Sequence, residues 1–233
     1  MDKSSGVGVI DKAVALLQAV AEQPRSLAEL VECTGLSRPT AHRLAVALEG
    51  HGLLDRDSSG RFRMGVRLYQ WAGGVDPLLD AACESVLELV ALTQLSSQVY
   101  VRQGDERLCL AAAEPASGLR DTVPTGSVLP LTAGSGAQVL LAWETQAERE
   151  RLLVDAPFTE STLRSVRKRG WAHSVGQRAN GVASISAPVR DARDRVVAAI
   201  SLSGPADRLT RVAPELVDAV LGAAAAVTRA IHD

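Results

Sequence analysis

The chain has 233 residues and a formal net charge of −2, with 46% hydrophobic and 22% charged residues. This length is enough for two modest domains, and the composition is that of a globular protein rather than a disordered or fibrous one. The longest uncharged apolar run, near residues 219–227, is much shorter than the ~18–20 residues of a membrane span. The N-terminus, MDKSSGVGVIDK, has no apolar signal-peptide core. We therefore expect a cytoplasmic protein that does not bind membranes.

Cysteines and histidines give no sign of a metal centre. Cys33, Cys83 and Cys109 are far apart and lack a CxxC spacing. Because each lies among apolar residues, we expect buried, reduced thiols rather than disulfides. The 4 histidines are scattered along the chain and form no cluster with acidic residues. We expect neither a metal nor a cofactor.

Two helices are predicted before residue 35. Apolar residues at helical spacing predict the first at residues 9–22, which could cover the segment that follows and offer a dimer surface. Ser26, with Glu29 three positions later, matches a capping box and predicts the start of the second helix. That helix should end at Gly35, because glycine tolerates the left-handed turn that reverses the chain.

A third helix should begin after its predicted cap, Ser37. Pro39 fits the first turn, where the missing N–H group loses no partner. The face expected to pack on the preceding helix carries Ala41, Leu44, Ala45 and Leu48, and the opposite side carries Arg38, Thr40, His42 and Arg43 near its N-terminal end. In helix-turn-helix proteins such N-terminal residues of the second helix meet base edges in the major groove.

A short hairpin is predicted directly after this helix. Residues 53–56 and 61–64 have strand character, and the Asp-Ser-Ser-Gly between them is a typical turn. Arg56, Arg61 and Arg63 lie in this hairpin, and the last two share a strand face and could lie along a phosphate backbone. The segment is therefore predicted to be a winged helix-turn-helix. The candidate DNA-contacting residues are Ser26, Ser37, Arg38, Pro39, Thr40, His42, Arg43, Arg56, Arg61 and Arg63.

A small helical unit with a solvated charged helix would also explain these arginines. The Thr-Gly-Leu-Ser turn, the proline position and the arginine-bearing hairpin together favour DNA binding. Residues 36–64 contain five arginines and three acidic residues, although the whole chain is slightly acidic. A local basic surface on a near-neutral protein is typical of a regulator that binds selectively and dissociates readily.

The rest of the chain mixes strands and helices without strict alternation. Gly73-Gly74, followed by Asp76-Pro77, predicts a boundary, which gives a DNA-binding domain at residues 1–64, a linking helix and hinge at 65–76, and a second domain at 77–233. Helices are predicted at residues 77–93, 133–143, 147–154, 162–169 and 213–231, and strands at 98–103, 107–112, 119–124, 171–174, 182–189 and 196–203. The fold class is therefore α+β, with helices packed on a mostly antiparallel sheet.

Two features of the second domain predict a small-molecule site. Residues 134–136, Gly-Ser-Gly, lie at the start of a helix, where free N–H groups and the helix dipole favour an anion. Paired serines that share a strand face could orient a carboxylate or a carbonyl, and they occur on two adjacent strands as Ser184 with Ser186 and Ser201 with Ser203. A tight loop without a ligand and serines that face solvent are the alternatives.

Several segments resemble the IclR-type transcriptional regulators. Ser-Arg-Pro-Thr-Ala-His-Arg-Leu from residue 37, Leu-Glu-Gly-His-Gly-Leu-Leu from residue 48 and Phe-Arg-Met-Gly from residue 62 look like the DNA-binding domain of this family. Arg-Gly-Trp-Ala from residue 169 and the segments 181–189 and 198–205 look like its effector-binding domain. The resemblance covers nearly the whole chain.

The resemblance implies a GAF-like effector domain, a double-stranded DNA operator, homodimers that often pair into tetramers, and effectors that are small organic acids or aromatics. The positions that match the pocket of the family are Gly134, Ser135, Gly136, Ser174, Ser184, Ser201 and Ser203. Members that bind small 2-oxo acids carry a cysteine where this chain has Ser184 and an aspartate where it has Ser174. These departures leave the identity of the effector open.

A narrower similarity involves residues 117–124, 38–49 and 169–174. They resemble an actinobacterial subgroup associated with the control of leucine and other amino-acid biosynthesis genes, which implies an effector from an amino-acid pathway. Two other functions stay open: a DNA-binding protein whose second domain only oligomerises, and a small-molecule hydrolase. The hydrolase is disfavoured because Gly-x-Ser-x-Gly is missing and Ala-Gly-Ser-Gly at residue 133, with His173 as a possible base, is its nearest imitation. We expect no enzymatic activity.

Overall fold

The computed structural model describes residues 5–72, 76–118 and 120–232 and divides into two compact units, residues 1–75 and 76–233. The predicted boundary glycines, Gly73 and Gly74, lie outside the described residues, as does Leu119 at the start of a predicted strand. No helix in the described ranges is long and apolar enough to cross a membrane.

The first unit has the predicted winged helix-turn-helix order. Its elements are α1 (Gly8–Glu22), α2 (Leu27–Thr34), α3 (Arg38–Gly50), β1 (Leu54–Arg56), β2 (Phe62–Met64) and α4 (Val66–Ala72). Strands β1 and β2 pair as an antiparallel hairpin, the wing. The three helices and the wing meet in one core, in which Leu16, Leu30, Ala41 and Phe62 are almost completely buried. The apolar faces predicted from helical spacing are those that pack.

The ends of α2 follow from local sequence. The Ser26 hydroxyl accepts a hydrogen bond from the Glu29 N–H group, and the Glu29 carboxylate accepts one from the Ser26 N–H group at 2.6 Å, which completes the predicted capping box. Gly35 ends the helix with φ at 67°. Ser37 is the N-cap residue of α3 as predicted, but its hydroxyl donates to the Thr40 hydroxyl at 2.9 Å instead of bonding the helix backbone.

The second unit is the predicted α+β domain. Its helices are α5 (Pro77–Thr93), α6 (Ser135–Ala142), α7 (Gln146–Leu153), α8 (Glu160–Arg169), α9 (Ala206–Leu209) and α10 (Pro214–Ala230), and its strands are β3 (Ser96–Gln103), β4 (Glu106–Ala113), β5 (Val128–Pro130), β6 (Ala172–Val175), β7 (Val182–Arg190) and β8 (Val196–Pro205). The sheet has the order β5-β4-β3-β8-β7-β6 with antiparallel neighbours throughout.

Helices cover both faces of this sheet. On one side, α5 and α10 pack on a layer that includes Val99, Ile185 and Ile200. On the other side, α6 and α8 pack on a second layer that includes Tyr100 and Ala199. Because successive residues of a strand face opposite ways, the serines between the buried residues of β7 and β8 point toward α6. This placement sets the position of the candidate effector site.

Two sequence predictions are wrong, one about a strand of this unit and one about the burial of the cysteines. Residues 120–127 form a loop rather than a strand, and the third strand of this unit is β5. The Asp121 N–H group donates to the Ser96 hydroxyl at 3.2 Å instead of to a neighbouring strand. Among the cysteines, Cys109 is buried, whereas Cys33 and Cys83 lie on outer helix positions and are exposed.

Candidate DNA-binding and effector sites

The outer face of α3 carries uncompensated positive charge. Arg38, His42 and Arg43 are exposed, whereas Ala41 and Ala45 on the inner face are completely buried. Within the described part of the chain, none of these three exposed side chains makes a hydrogen bond or an ion pair. Pro39 is exposed beside them and Thr40 is half-buried. The helix therefore presents free donors at the end that a helix-turn-helix directs to DNA.

All three wing arginines have acidic partners. The Nε atom of Arg56 lies 3.0 Å from Glu49 in α3, and its guanidinium group stacks on the ring of Phe62 at 4.1 Å. The Nη2 atom of Arg63 lies 2.7 Å from Asp55, its direct neighbour on the facing strand. Both arginines stay partly exposed, so they can approach phosphates, but their charges are already partly compensated.

Arg61 connects the wing to the start of α2. Its Nη2 atom lies 2.7 and 2.8 Å from the two carboxylate oxygens of Glu29, and its Nε–H group donates to the Pro24 carbonyl at 3.1 Å. Hydrogen bonds from Ser26 and then from Arg61 lower the pKa of Glu29 to about 2. Ser26, a predicted DNA contact, therefore has an internal role as the cap of α2 in this structure.

A small cavity lies between the N-terminus of α6 and the sheet of the second unit. Its free volume is about 20 Å³, which is close to the space that one water molecule needs. Its lining consists of the predicted residues Gly134, Ser135, Gly136, Ser184, Ser201 and Ser203 together with the unpredicted residues Gln98, Tyr100, Arg107, Asp121 and Arg178. A larger open groove of about 500 Å³ beside Trp143 contains none of the predicted residues.

The serines form a continuous chain of hydroxyl groups. The Ser135 Oγ atom lies 2.6 Å from that of Ser184 and 2.7 Å from that of Ser186. Ser186 continues the chain to Ser201 at 2.6 Å, and Ser184 continues it to Ser174 at 2.9 Å. Ser184 is half-buried and the other four are buried, so the alternative of solvent-facing serines is wrong. Ser174 joins this network without lining the cavity.

Arg107 is a buried cation that the sequence analysis missed. It is 2% exposed, and its Nη1 atom donates to the carbonyl oxygens of Pro130 at 2.5 Å and of Ala133 at 2.7 Å. Burial lowers the pKa of Arg107 to about 10, so it stays protonated at neutral pH. One sequence signal was available: Arg107 alternates along β4 with Cys109 and therefore shares its buried face.

An ion pair closes the cavity. Arg178, in the loop between β6 and β7, donates through Nη2 to Asp121, which lies in the loop before β5 and is 8% exposed. On the α6 side, Gln177 accepts hydrogen bonds from the Gly134 N–H group at 3.2 Å and from the Gln138 side chain at 3.1 Å. Two loops that are distant in sequence therefore form one wall of the site.

The residues suggested for a hydrolase do not meet. The Ser135 hydroxyl hydrogen-bonds the hydroxyls of Ser184 and Ser186. The Nε2 atom of His173 lies 2.9 Å from the Leu209 carbonyl oxygen. Since a nucleophile needs its base within hydrogen-bond reach, the candidate pair of Ser135 and His173 is not assembled among the described residues.

The chain combines a winged helix-turn-helix unit with a unit that contains a buried polar cavity, a combination expected of a ligand-responsive regulator of transcription. Residues 9–58 match the sequence model of the IclR helix-turn-helix domain, and residues 75–229 match that of the bacterial transcriptional regulator IclR C-terminal domain. The chain belongs to the IclR family. It is a DNA-binding transcriptional regulator with an effector-binding C-terminal domain, and the predicted fold class is confirmed.

Similar proteins of known role or structure cover almost the whole chain. The glycerol operon regulatory protein of Streptomyces griseus is 28% identical over 94% of both chains. The transcriptional repressor AllR of Salmonella typhimurium is 26% identical over 88% of this chain and 82% of its own. An IclR homologue from Microbacterium hydrocarbonoxydans, solved in complex with 4-hydroxybenzoate, is 22% identical, covers 96% of this chain and 98% of its own, and superposes with a TM-score of 0.78.

Proposed function

We propose that this protein reads its operator through the exposed face of α3. The observation that carries the proposal is the presence of Arg38 and Arg43, exposed beside His42 and without a partner in the described part of the chain. Arginine pairs with the two acceptors of guanine in the major groove. The wing arginines, which already have acidic partners, are proposed to contact phosphates, which position the protein without reading sequence.

We propose that the regulator works in the cytoplasm as a homodimer, with a dimer of dimers as the larger assembly. One recognition helix reads only a few base pairs, so a specific operator requires two. The first helix supports this proposal with an exposed apolar surface formed by Val7, Val9, Ile10 and Val14, which are 44–59% exposed in the monomer. A patch of this kind on a small domain is typical of an interaction surface.

The effector is proposed to be a small organic acid that binds in the cavity at the N-terminus of α6. The serine chain and the helix end support a ligand with oxygen acceptors, and the solved relative from Microbacterium holds 4-hydroxybenzoate, which is such an acid. The narrower resemblance of residues 117–124 suggests an acid from an amino-acid pathway. No catalytic step is proposed, because Ser135 and His173 have separate partners.

Ligand binding is proposed to change the arrangement of the two DNA-binding units. A ligand can shift such an equilibrium only by binding one arrangement more tightly than the other. The cavity is nearly filled by its own side chains, so entry of an organic acid requires the two loops that carry the Asp121–Arg178 pair to move. Movement of these two loops is the structural change that we expect to follow binding.

Selecting the fragments that the protein binds from a pool of random DNA tests whether a dimer recognises the operator. The proposal expects an inverted repeat whose half-sites are separated by about 10–10.5 base pairs, which is one helical turn. Enrichment of a single half-site would contradict the dimer, and the lack of any enriched sequence would contradict base reading by α3.

A further inference from the structure

Two buried donors of the cavity have no hydrogen-bond partner. The Nε atom of Arg107 and the Nε2 atom of Gln98 are both buried without a partner among the described residues. Gln98 is only 1% exposed, and Arg107 is similarly buried. Because a buried donor that stays unpaired is costly, two of them on one small cavity indicate an acceptor that the described residues do not supply.

The charges around the cavity leave one positive charge uncompensated. Arg178 is paired with Asp121, whereas the hydrogen bonds of Arg107 go to neutral carbonyl groups. The guanidinium group of Arg107 also lies beside the N-terminus of α6, since a Cβ atom at Gly134 would be 3.4 Å from its Nη2 atom. A helix N-terminus carries a positive partial charge. These two positive groups would be stabilised by an anion between them.

Gln98 is oriented for the same ligand. Its Oε1 atom accepts a hydrogen bond from the Ser203 hydroxyl at 3.0 Å, which leaves both N–H groups of the amide available. Ser203 therefore acts as a positioning residue for Gln98. The ring of Tyr100 lies 5.1 Å from the guanidinium carbon of Arg107 and limits the directions in which that group can move.

We propose that Arg107 and Gln98 anchor the carboxylate of a monoanionic effector, with Arg107 Nε and Gln98 Nε2 donating to its oxygens. This inference rests on the proposed function of the cavity as the effector site. One uncompensated positive charge matches one negative charge. A dicarboxylate would bring a second charge near the buried Asp121 carboxylate, and it binds more weakly for this reason.

The arginine Nε–H signals of the ¹⁵N-labelled full-length protein test the proposal directly by NMR. Formate is the probe because it is the smallest carboxylate and requires the least opening of the cavity. We expect sodium formate to shift the Arg107 signal saturably, with an affinity at least tenfold higher than that of formamide, which has a similar shape and no charge. Arg167 is the internal control, since its guanidinium group is already paired with Glu160 at 2.6 Å, and its signal should not move.

Assignment uses Arg107→Lys, which keeps the charge and removes the guanidinium signal. If this variant does not fold, assignment through the backbone of the wild-type protein replaces it. The preference for one charge is tested with malonate and its monoamide, of which the monoamide should bind at least threefold more tightly.

An Arg107 signal that does not shift with formate, or that shifts with equal affinity for formamide, would overturn the anchoring role. Tighter binding of malonate would overturn the preference for a monoanion. The titration contains no DNA, so its failure is distinct from failure of the proposed function. If formate shifts the Arg107 signal but no bound acid changes the affinity for the operator, the anion site is supported and its regulatory role is contradicted.

Discussion

Arg43 and Arg63 are both exposed arginines of the first unit, but they differ in their partners. Arg63 is paired with Asp55, whereas Arg43 makes no contact within the described residues. Arg43→Ala is expected to weaken operator binding by about 1–3 kcal/mol because it removes a base contact. Arg63→Ala, the matched control, should weaken binding less and equally for all sequences. Fluorescence anisotropy with operator and random DNA measures both.

An equal loss on operator and random DNA in Arg43→Ala would place this arginine on the phosphate backbone. Unchanged affinity would remove it from the interface.

Glu29 makes the stability of the first unit depend on pH. Its pKa in the folded protein is lowered from 4.5 to about 2 by Ser26 and Arg61. Because the folded pKa lies below the unfolded one, the stabilisation is complete above about pH 5 and is lost as the pH falls through 4.5 toward 2. Glu29→Gln should therefore be less stable than the wild type at pH 7 and lose less stability between pH 5 and pH 2. Urea unfolding over this range measures the difference.

Glu32→Gln changes an exposed glutamate of the same helix and serves as the control. If the stability of Glu29→Gln fell in parallel with that of the wild type, the carboxylate contacts would have no role in acid stability.

Residue roles were predictable where they depend on spacing within one element. The capping box of Ser26 and Glu29 and the shared face of Ser201 and Ser203 follow from helical and strand periodicity. The role of Arg107 could not be predicted, because it depends on the packing of α6 against the sheet. The same holds for the other unpredicted cavity residues, Gln98, Tyr100, Asp121 and Arg178.

At the scale of elements, the start of α6 is closely packed against the other residues of the proposed effector site. A Cβ atom at Gly136 would lie 3.2 Å from the Tyr100 ring and 3.4 Å from the Ser201 hydroxyl. Gly136→Ala should therefore overpack the cavity, destabilise the protein by about 1–3 kcal/mol and weaken effector binding at least tenfold. Thermal unfolding and a titration with formate measure the two effects. Normal binding by Gly136→Ala would show that the ligand sits elsewhere.

Gly222 provides the opposite case in α10. It is exposed, and a Cβ atom there would have nothing within 4 Å. Gly222→Ala should raise the free energy of unfolding by about 0.5–1 kcal/mol, because alanine has the higher helix propensity. Chemical denaturation measures this change. Destabilisation by Gly222→Ala would indicate that this surface of α10 is covered in the assembled protein.

Elements predicted from regular periodicity formed close to their predicted bounds, whereas segments without periodicity were predicted poorly. The long helix α5 has the predicted bounds, and β7 and β8 differ from prediction by one or two residues at their ends. The loop at residues 120–127 could not be predicted, because Asp121 is held by Arg178 and Ser96 from distant parts of the chain. Periodicity contains no information about such contacts.

At the scale of the whole molecule, the two units place arginines in different environments. The first unit exposes arginines on α3 that have no partner among the described residues, and the second buries an arginine beside a helix N-terminus. The winged helix-turn-helix and the α+β class were predictable from element order and turn residues. The orientation of the partner in the proposed dimer could not be predicted, because the exposed apolar residues of α1 do not specify it.

Binding of the purified full-length protein to its own upstream DNA and to random DNA, each titrated with salt and with organic acids, tests whether an effector changes the affinity for a specific operator. We expect a preference of about 1,000-fold or more for the operator and a change in that preference with at least one acid. Equal affinity for both DNAs at every salt concentration would contradict the reading of α3 as a recognition helix.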